Sequence, residues 1–113
     1  MKKVLLVIAL MMSWQSVYAT PTGNGFVGQW QEYKKYKAGQ SYRIFDTAYY
    51  LGYVDGVSDA EDERWFSYPK ETTTGQLCHV VGKWIDDHPE KWAETPWVIV
   101  VTALKEAFPL KKK

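Results

Sequence analysis

The sequence predicts an all-α fold, a small single-domain bundle of about four helices behind a cleaved signal peptide. Apolar residues recur at helical spacing in four separate segments. Turn-forming stretches divide those segments, and two of them begin with a recognisable helix-start signal. Ahead of them, residues 1–19 have the layout of an export leader.

In that leader Lys2 and Lys3 supply a positive start and Val4 to Met12 an unbroken apolar run. Val17-Tyr18-Ala19 then fits a cleavage site. The run is too short, and its flanks are wrong, for a membrane span. No cysteine follows it to take a lipid anchor. Residues 1–19 are therefore predicted as signal peptide and residues 20–113 as the mature domain, working in an extracytoplasmic, oxidising space without membrane attachment.

A domain of this size buries only about 60–65% of its unfolded surface, so every large apolar group counts. Cys78 is the one cysteine, which excludes an internal disulfide. Aromatic side chains take over that duty: Trp30, Trp65, Trp84, Trp92 and Trp97 all lie beyond the leader. All thirteen acidic side chains lie there too, whereas Lys2 and Lys3 leave with the leader and Lys111 to Lys113 form a tail. The folded body is mildly acidic, and it lacks the basic stripe that nucleic-acid binding needs.

Thr20 to Asn24, rich in Pro, Gly and Thr, is predicted as a mobile new terminus. The first helix runs from about Gly25 to Lys37, with Phe26, Trp30 and Tyr33 inward, and Ala38 to Ser41 close it. The second covers roughly Tyr42 to Ala60. Its row of Ala48, Gly52, Gly56 and Ala60 predicts a groove that another backbone approaches closely, offsetting about 1 kcal/mol of lost propensity per glycine. Tyr50, Leu51, Val54 and Val57 make it apolar almost all round, which predicts a central position. Glu61, Asp62 and Glu63 then read as solvated loop charges or as the first turn of a short extra helix, with a turn at Pro69.

Thr73-Thr74-Gly75-Gln76 is a capping box that opens the third helix. Leu77, Val80, Val81, Trp84 and Ile85 form its apolar face; His79, Lys83 and Asp86 lie opposite, and His88-Pro89 ends it. Thr95-Pro96 opens the fourth helix as N-cap and first residue. Trp97, Val100, Val101, Leu104, Ala107 and Phe108 are predicted as its core face. Val98 and Ile99 point away from that face and suggest a second packing surface or a homodimer contact.

Catalytic constellations are scarce. Cys78 and His79 are helix neighbours pointing about 100° apart, so they form no nucleophile–base pair, and Cys78 reads as a small buried hydrophobe. His79 and His88 belong to no metal-ligand motif. Asp55 and Asp59 sit at i, i+4 and offer a carboxyl pair that nothing else supports. No catalytic residue, metal site or cofactor is predicted; the residues describe a small exported helical domain that binds something.

A set of motifs then appears in order: Gly52-Tyr53 through Gly56 to Asp59 (GYxxGxxD), Pro69, Thr73 to Leu77 (TxGQL), Val80-Val81, His88-Pro89-Glu90, and Ala103-Leu104 to Phe108-Pro109 (ALxxAFP). In this the chain resembles the Rap/Tai-type immunity proteins, small periplasmic helical proteins that neutralise peptidoglycan amidases delivered by type VI secretion. The resemblance spans about Tyr49 to Leu110. Members commonly carry cysteines where this chain has Tyr50, Ser67 and Leu110. It implies a helical, periplasmic, non-catalytic inhibitor whose partner is a cognate cell-wall amidase.

The motif residues themselves have packing and capping roles, so recognition is expected between them. One candidate stretch is Glu63, Arg64 and Trp65; the other is Asp86, Asp87, His88, Glu90, Lys91 and Trp92. Exposed Trp and Arg serve as interface anchors, and acidic neighbours steer a basic partner. The rival reading is a periplasmic stress protein or chaperone-like binding module, whose client surface would be exposed apolar groups.

Overall fold

The computed structural model describes residues 23–111. It contains α1 (Gly23–Lys37), α2 (Ile44–Glu61), α3 (Thr74–Asp87), a 3-10 turn (Pro89–Lys91) and α4 (Pro96–Ala107). The predicted signal peptide, and Thr20 to Thr22 of the expected mobile terminus, lie outside the described residues. Four helices with no strand among the described residues make the predicted all-α domain.

Helix starts and stops follow local chemistry. Gly39, at φ +74°, lets the chain turn left-handed after α1. The Gln40 amide then donates to the Lys35 carbonyl at 2.9 Å and the Gly39 amide to Tyr36, a Schellman closure. At α3 both halves of the capping box are formed: Gln76 N–H to Thr73 Oγ1 at 3.1 Å, and Thr73 N–H to Gln76 Oε1 at 2.8 Å. Thr95 caps α4 ahead of Pro96, as the sequence predicts.

α2 packs against α1, α3 and α4, but through one side only, where Thr47, Tyr50, Val54 and Ser58 are buried, so it is not enclosed as the sequence predicts. Around it Phe26, Trp30, Tyr33, Tyr50, Val81, Ile85, Val100 and Leu104 form one core. Phe26, Trp30 and Tyr33 each approach Tyr50 with ring centroids 5.1–5.4 Å apart, in tilted arrangements suited to aromatic quadrupoles. Tyr50 also donates its hydroxyl to the Cys78 carbonyl at 2.7 Å. Cys78 is fully buried, as a small hydrophobe.

The packing corrects the sequence reading at several points. α1 starts at Gly23, so Asn24 belongs to a helix rather than to a mobile terminus. Gly23 is buried where a Cβ would strike the carbonyls of Trp92 and Glu94. On α2 the small-residue row faces outward: Ala48, Gly52, Gly56 and Ala60 are exposed, and a Cβ at either glycine meets nothing within 4 Å. Close approach happens instead at Gly82, where the Trp30 ring occupies the space a Cβ would need.

On α4, Ile99 and Ala103 are buried whereas Trp97 and Ala107 are exposed. The helix meets both α2 and α3, so its buried arc spans Pro96, Ile99, Val100, Ala103 and Leu104. Ile99, at 0% exposure, belongs to the second packing surface that the sequence offered as one alternative and is unavailable as the homodimer contact offered as the other.

Candidate functional site

The two stretches expected to recognise a partner are built in opposite ways. After α2 the chain makes a tight turn in which Asp62 bridges to Phe66. Glu63 adopts φ +67°, a left-handed conformation that strains a residue with a Cβ. Three bonds hold it there. Its amide donates to the Phe66 carbonyl at 2.7 Å and to Asp62 Oδ1 at 3.1 Å, and its carboxylate accepts from Ser67 Oγ at 2.7 Å. Phe66, fully buried, anchors the turn in the core. Strain held in place by surrounding structure is a recurring property of functional turns.

This turn presents Arg64 and Trp65 outward. Trp65 is 38% exposed and stands edge-to-face against Trp97, 40% exposed, with centroids 6.4 Å apart. The Arg64 guanidinium lies 5.9 Å from the Trp65 ring and Lys105 Nζ lies 5.7 Å from it. Two half-open indoles flanked by two cations thus share one patch, assembled from the α2–α3 turn and the outer side of α4. Sequence reasoning found Arg64 and Trp65. It missed Trp97, assigned to the core, and Lys105, which carries no signal without the tertiary contact.

Asp86 to Trp92 is tied inward. The Trp92 indole donates to the Ile85 carbonyl at 2.7 Å, and its ring packs against the core. His88 stacks on Trp84 with centroids 4.3 Å apart and bonds the Trp84 carbonyl through Nδ1 at 2.8 Å. Both contacts reach carbonyls in the last turn of α3, and the Ile85 carbonyl also accepts the His88 amide at 3.2 Å. Asp86 accepts from Trp30 Nε1 at 3.0 Å and pairs with Lys34 at 3.3 Å, fastening α3 to α1. Asp87, Glu90 and Lys91 remain on the surface.

Other chemical candidates have structural occupations. Asp55 Oδ1 accepts from Thr74 Oγ1 at 2.8 Å, joining α2 to the first turn of α3. Cys78 is buried while His79 is exposed, so the two stand on different sides of their helix. Burial pushes the Cys78 thiol up to about 12, far from a reactive thiolate. Among the described residues no group of His, Cys, Asp and Glu is placed to hold a metal ion, and no helix is long and apolar enough to cross a membrane.

The family model for Rap1a immunity proteins matches residues 22–110, nearly the whole described domain, and the chain belongs to that family. No curated protein and no solved structure matches it.

Proposed function

From its membership of the Rap1a immunity protein family, we propose that this protein is exported to the periplasm and there binds and blocks a secreted peptidoglycan amidase, doing no chemistry of its own. The observation that carries the reading is the Trp65–Trp97 patch: a rigid, strained turn holding a half-open indole between Arg64 and Lys105. Exposed Trp and Arg on a fixed scaffold are the residues that dominate binding energy in protein interfaces. Trp65 calls for an apolar pocket on the amidase, and the mixed charges around it, Arg64 and Lys105 beside Glu61, Asp62 and Glu63, for a polar rim of both signs. Asp87, Glu90 and Lys91 form a secondary, rim-like contact, while Glu63, Asp86, His88 and Trp92 act by holding the two segments in shape.

Periplasmic chain is to be mixed with the amidase encoded by the neighbouring reading frame, and release of peptidoglycan fragments followed. Inhibition should saturate at a fixed ratio of the two proteins. Trp65→Ala should raise the concentration needed for half-inhibition roughly 30- to 1000-fold, the equivalent of about 2–4 kcal/mol. An amidase left fully active by excess wild-type chain removes the proposal. Protection of unrelated aggregating clients would point instead to the chaperone-like reading.

A further inference from the structure

Between α1 and α3 lies a cavity of about 680 Å³ that shares no residue with the Trp65–Trp97 patch. The buried Trp30 and Tyr33 form its floor. Lys34 and Lys37 line it from α1, and His79, Lys83 and Asp86 from α3. Helical spacing prepares this meeting, because residues three or four apart share a face. A second cavity continues it past Lys37 and His79 and carries no carboxylate. Beyond Lys83 the surface turns acidic, with Asp87 and Glu106. The result is a trough whose cationic part runs from Lys83 to Lys37.

The one carboxylate of that part is already committed. Asp86 accepts from Trp30 Nε1 and pairs with Lys34. Lys37 and Lys83 pair with no carboxylate among the described residues. Lys37 has a local reason for its place, the dipole at the end of α1. His79 and Lys83 lie ahead of the last turn of α3, where that reason does not apply. A mildly acidic body thus gathers unpaired cations in one concavity, at a cost in mutual repulsion. Volume and charge together select the occupant. A lone phosphate or carboxylate fills little of this space. A flat membrane surface cannot enter a trough between helices, and a nucleic-acid backbone would run onto Asp87 and Glu106. An extended peptide with acidic side chains fits, its carboxylates on Lys37 and Lys83 and an apolar side chain over Trp30 and Tyr33.

We propose that the trough between α1 and α3 receives an extended acidic segment of a partner protein. It is a second binding surface, and it stands independently of the amidase reading.

The probe is a short, end-blocked peptide of alternating glutamate and leucine carrying a neutral dye, with its glutamine counterpart as control. Fluorescence anisotropy with the mature chain should show saturable binding of the glutamate peptide at low salt, weakening as salt is raised. The glutamine peptide should not bind. Lys37→Glu with Lys83→Glu should weaken binding roughly tenfold or more. Lys70→Glu with Lys111→Glu makes the same charge change away from the trough and should stay within about twofold of wild type. All four lysines are exposed and unpaired, so circular dichroism should show both variants folded. Lys83→Glu alone, ahead of the last turn of α3, keeps the test open should Lys37→Glu loosen the end of α1. A wild-type chain that ignores the glutamate peptide overturns the inference. So does equal weakening by the two double variants, which means bulk attraction, or displacement of the peptide by phosphate but not by chloride at equal ionic strength, which means a small-anion site. Amidase inhibition lost in the trough variant and kept in Trp65→Ala would identify the amidase as the source of the acidic segment, and would remove the Trp65 patch from recognition while supporting the trough.

Discussion

Trp65 and Trp92 read alike in the sequence, each an isolated indole among charges after a helix, yet one faces solvent and the other the core. The difference lies in where the chain path carries each ring. The 3-10 turn brings the chain back over the end of α3, where the Trp92 N–H shares the Ile85 carbonyl with the His88 amide. α2 ends in a turn whose own backbone and side chains supply the bonds, and Trp65 stands half-open beside Trp97 and the two cations. An indole goes inward where the chain path brings its ring over the core and its N–H to a helix-end acceptor. Charge in the neighbouring sequence does not decide it.

Truncating the two indoles should therefore produce opposite phenotypes. Trp92→Ala removes a partly buried packed ring and one of the two donors to the Ile85 carbonyl, and should lower stability by up to about 3 kcal/mol, seen as a large fall in thermal midpoint. Trp65→Ala should change stability by less than about 1 kcal/mol, since much of the ring is already hydrated, while weakening amidase binding as given above. Equal melting of the two variants would break the comparison.

The core behind both segments gives a third, smaller effect that depends on pH. Burial pushes Tyr33 from 10 to about 12, as it pushes Cys78 from 9 to about 12. The unfolded chain releases these protons earlier, so the native state binds more protons across that interval. Stability is complete below pH 9 and should fall as pH rises towards 12. Denaturant midpoints measured across that range should decline, and a Cys78→Ala variant should decline less steeply. In the same range, Cys78 should resist thiol reagents until denaturant is added; fast labelling of folded protein would show the thiol is open.

Smallest of all is Glu63→Gly. Glycine relieves the left-handed strain but gives up the Ser67 bond and frees the unfolded chain, so stability should move by no more than about 0.5 kcal/mol. Binding should still weaken, because the turn that aims Trp65 becomes looser. Unchanged inhibition would mean that turn rigidity is irrelevant to recognition.

Where the sequence was legible, it was through interactions short along the chain. Thr73 and Gln76 recognise each other's backbone groups three residues apart, and Thr95-Pro96, Gly39 and His88-Pro89 act within one turn. Phe26, Trp30, Tyr33, Leu77, Val81, Trp84 and Ile85 lie inward because helical period alone brings them to one stripe. The family motifs span the same elements, and the family match follows them over residues 22–110. Half of the proposed recognition patch, Arg64 and Trp65, stood out by residue type.

Tertiary structure decided what period leaves open, namely which part of a nearly all-apolar cylinder meets neighbours. α2 and α4 are apolar on more than one side, so their pattern permits several rotations about the axis. Packing turned Gly52 and Gly56 outward and Ile99 inward, because large rings from α1 had already filled the space beside Gly82 and Tyr50. The same rotation placed Trp97 and Lys105 beside Trp65, far away in sequence. Periodicity names the residues that share a helix face; only the volume and hydrogen-bonding needs of the other helices determine where that face points.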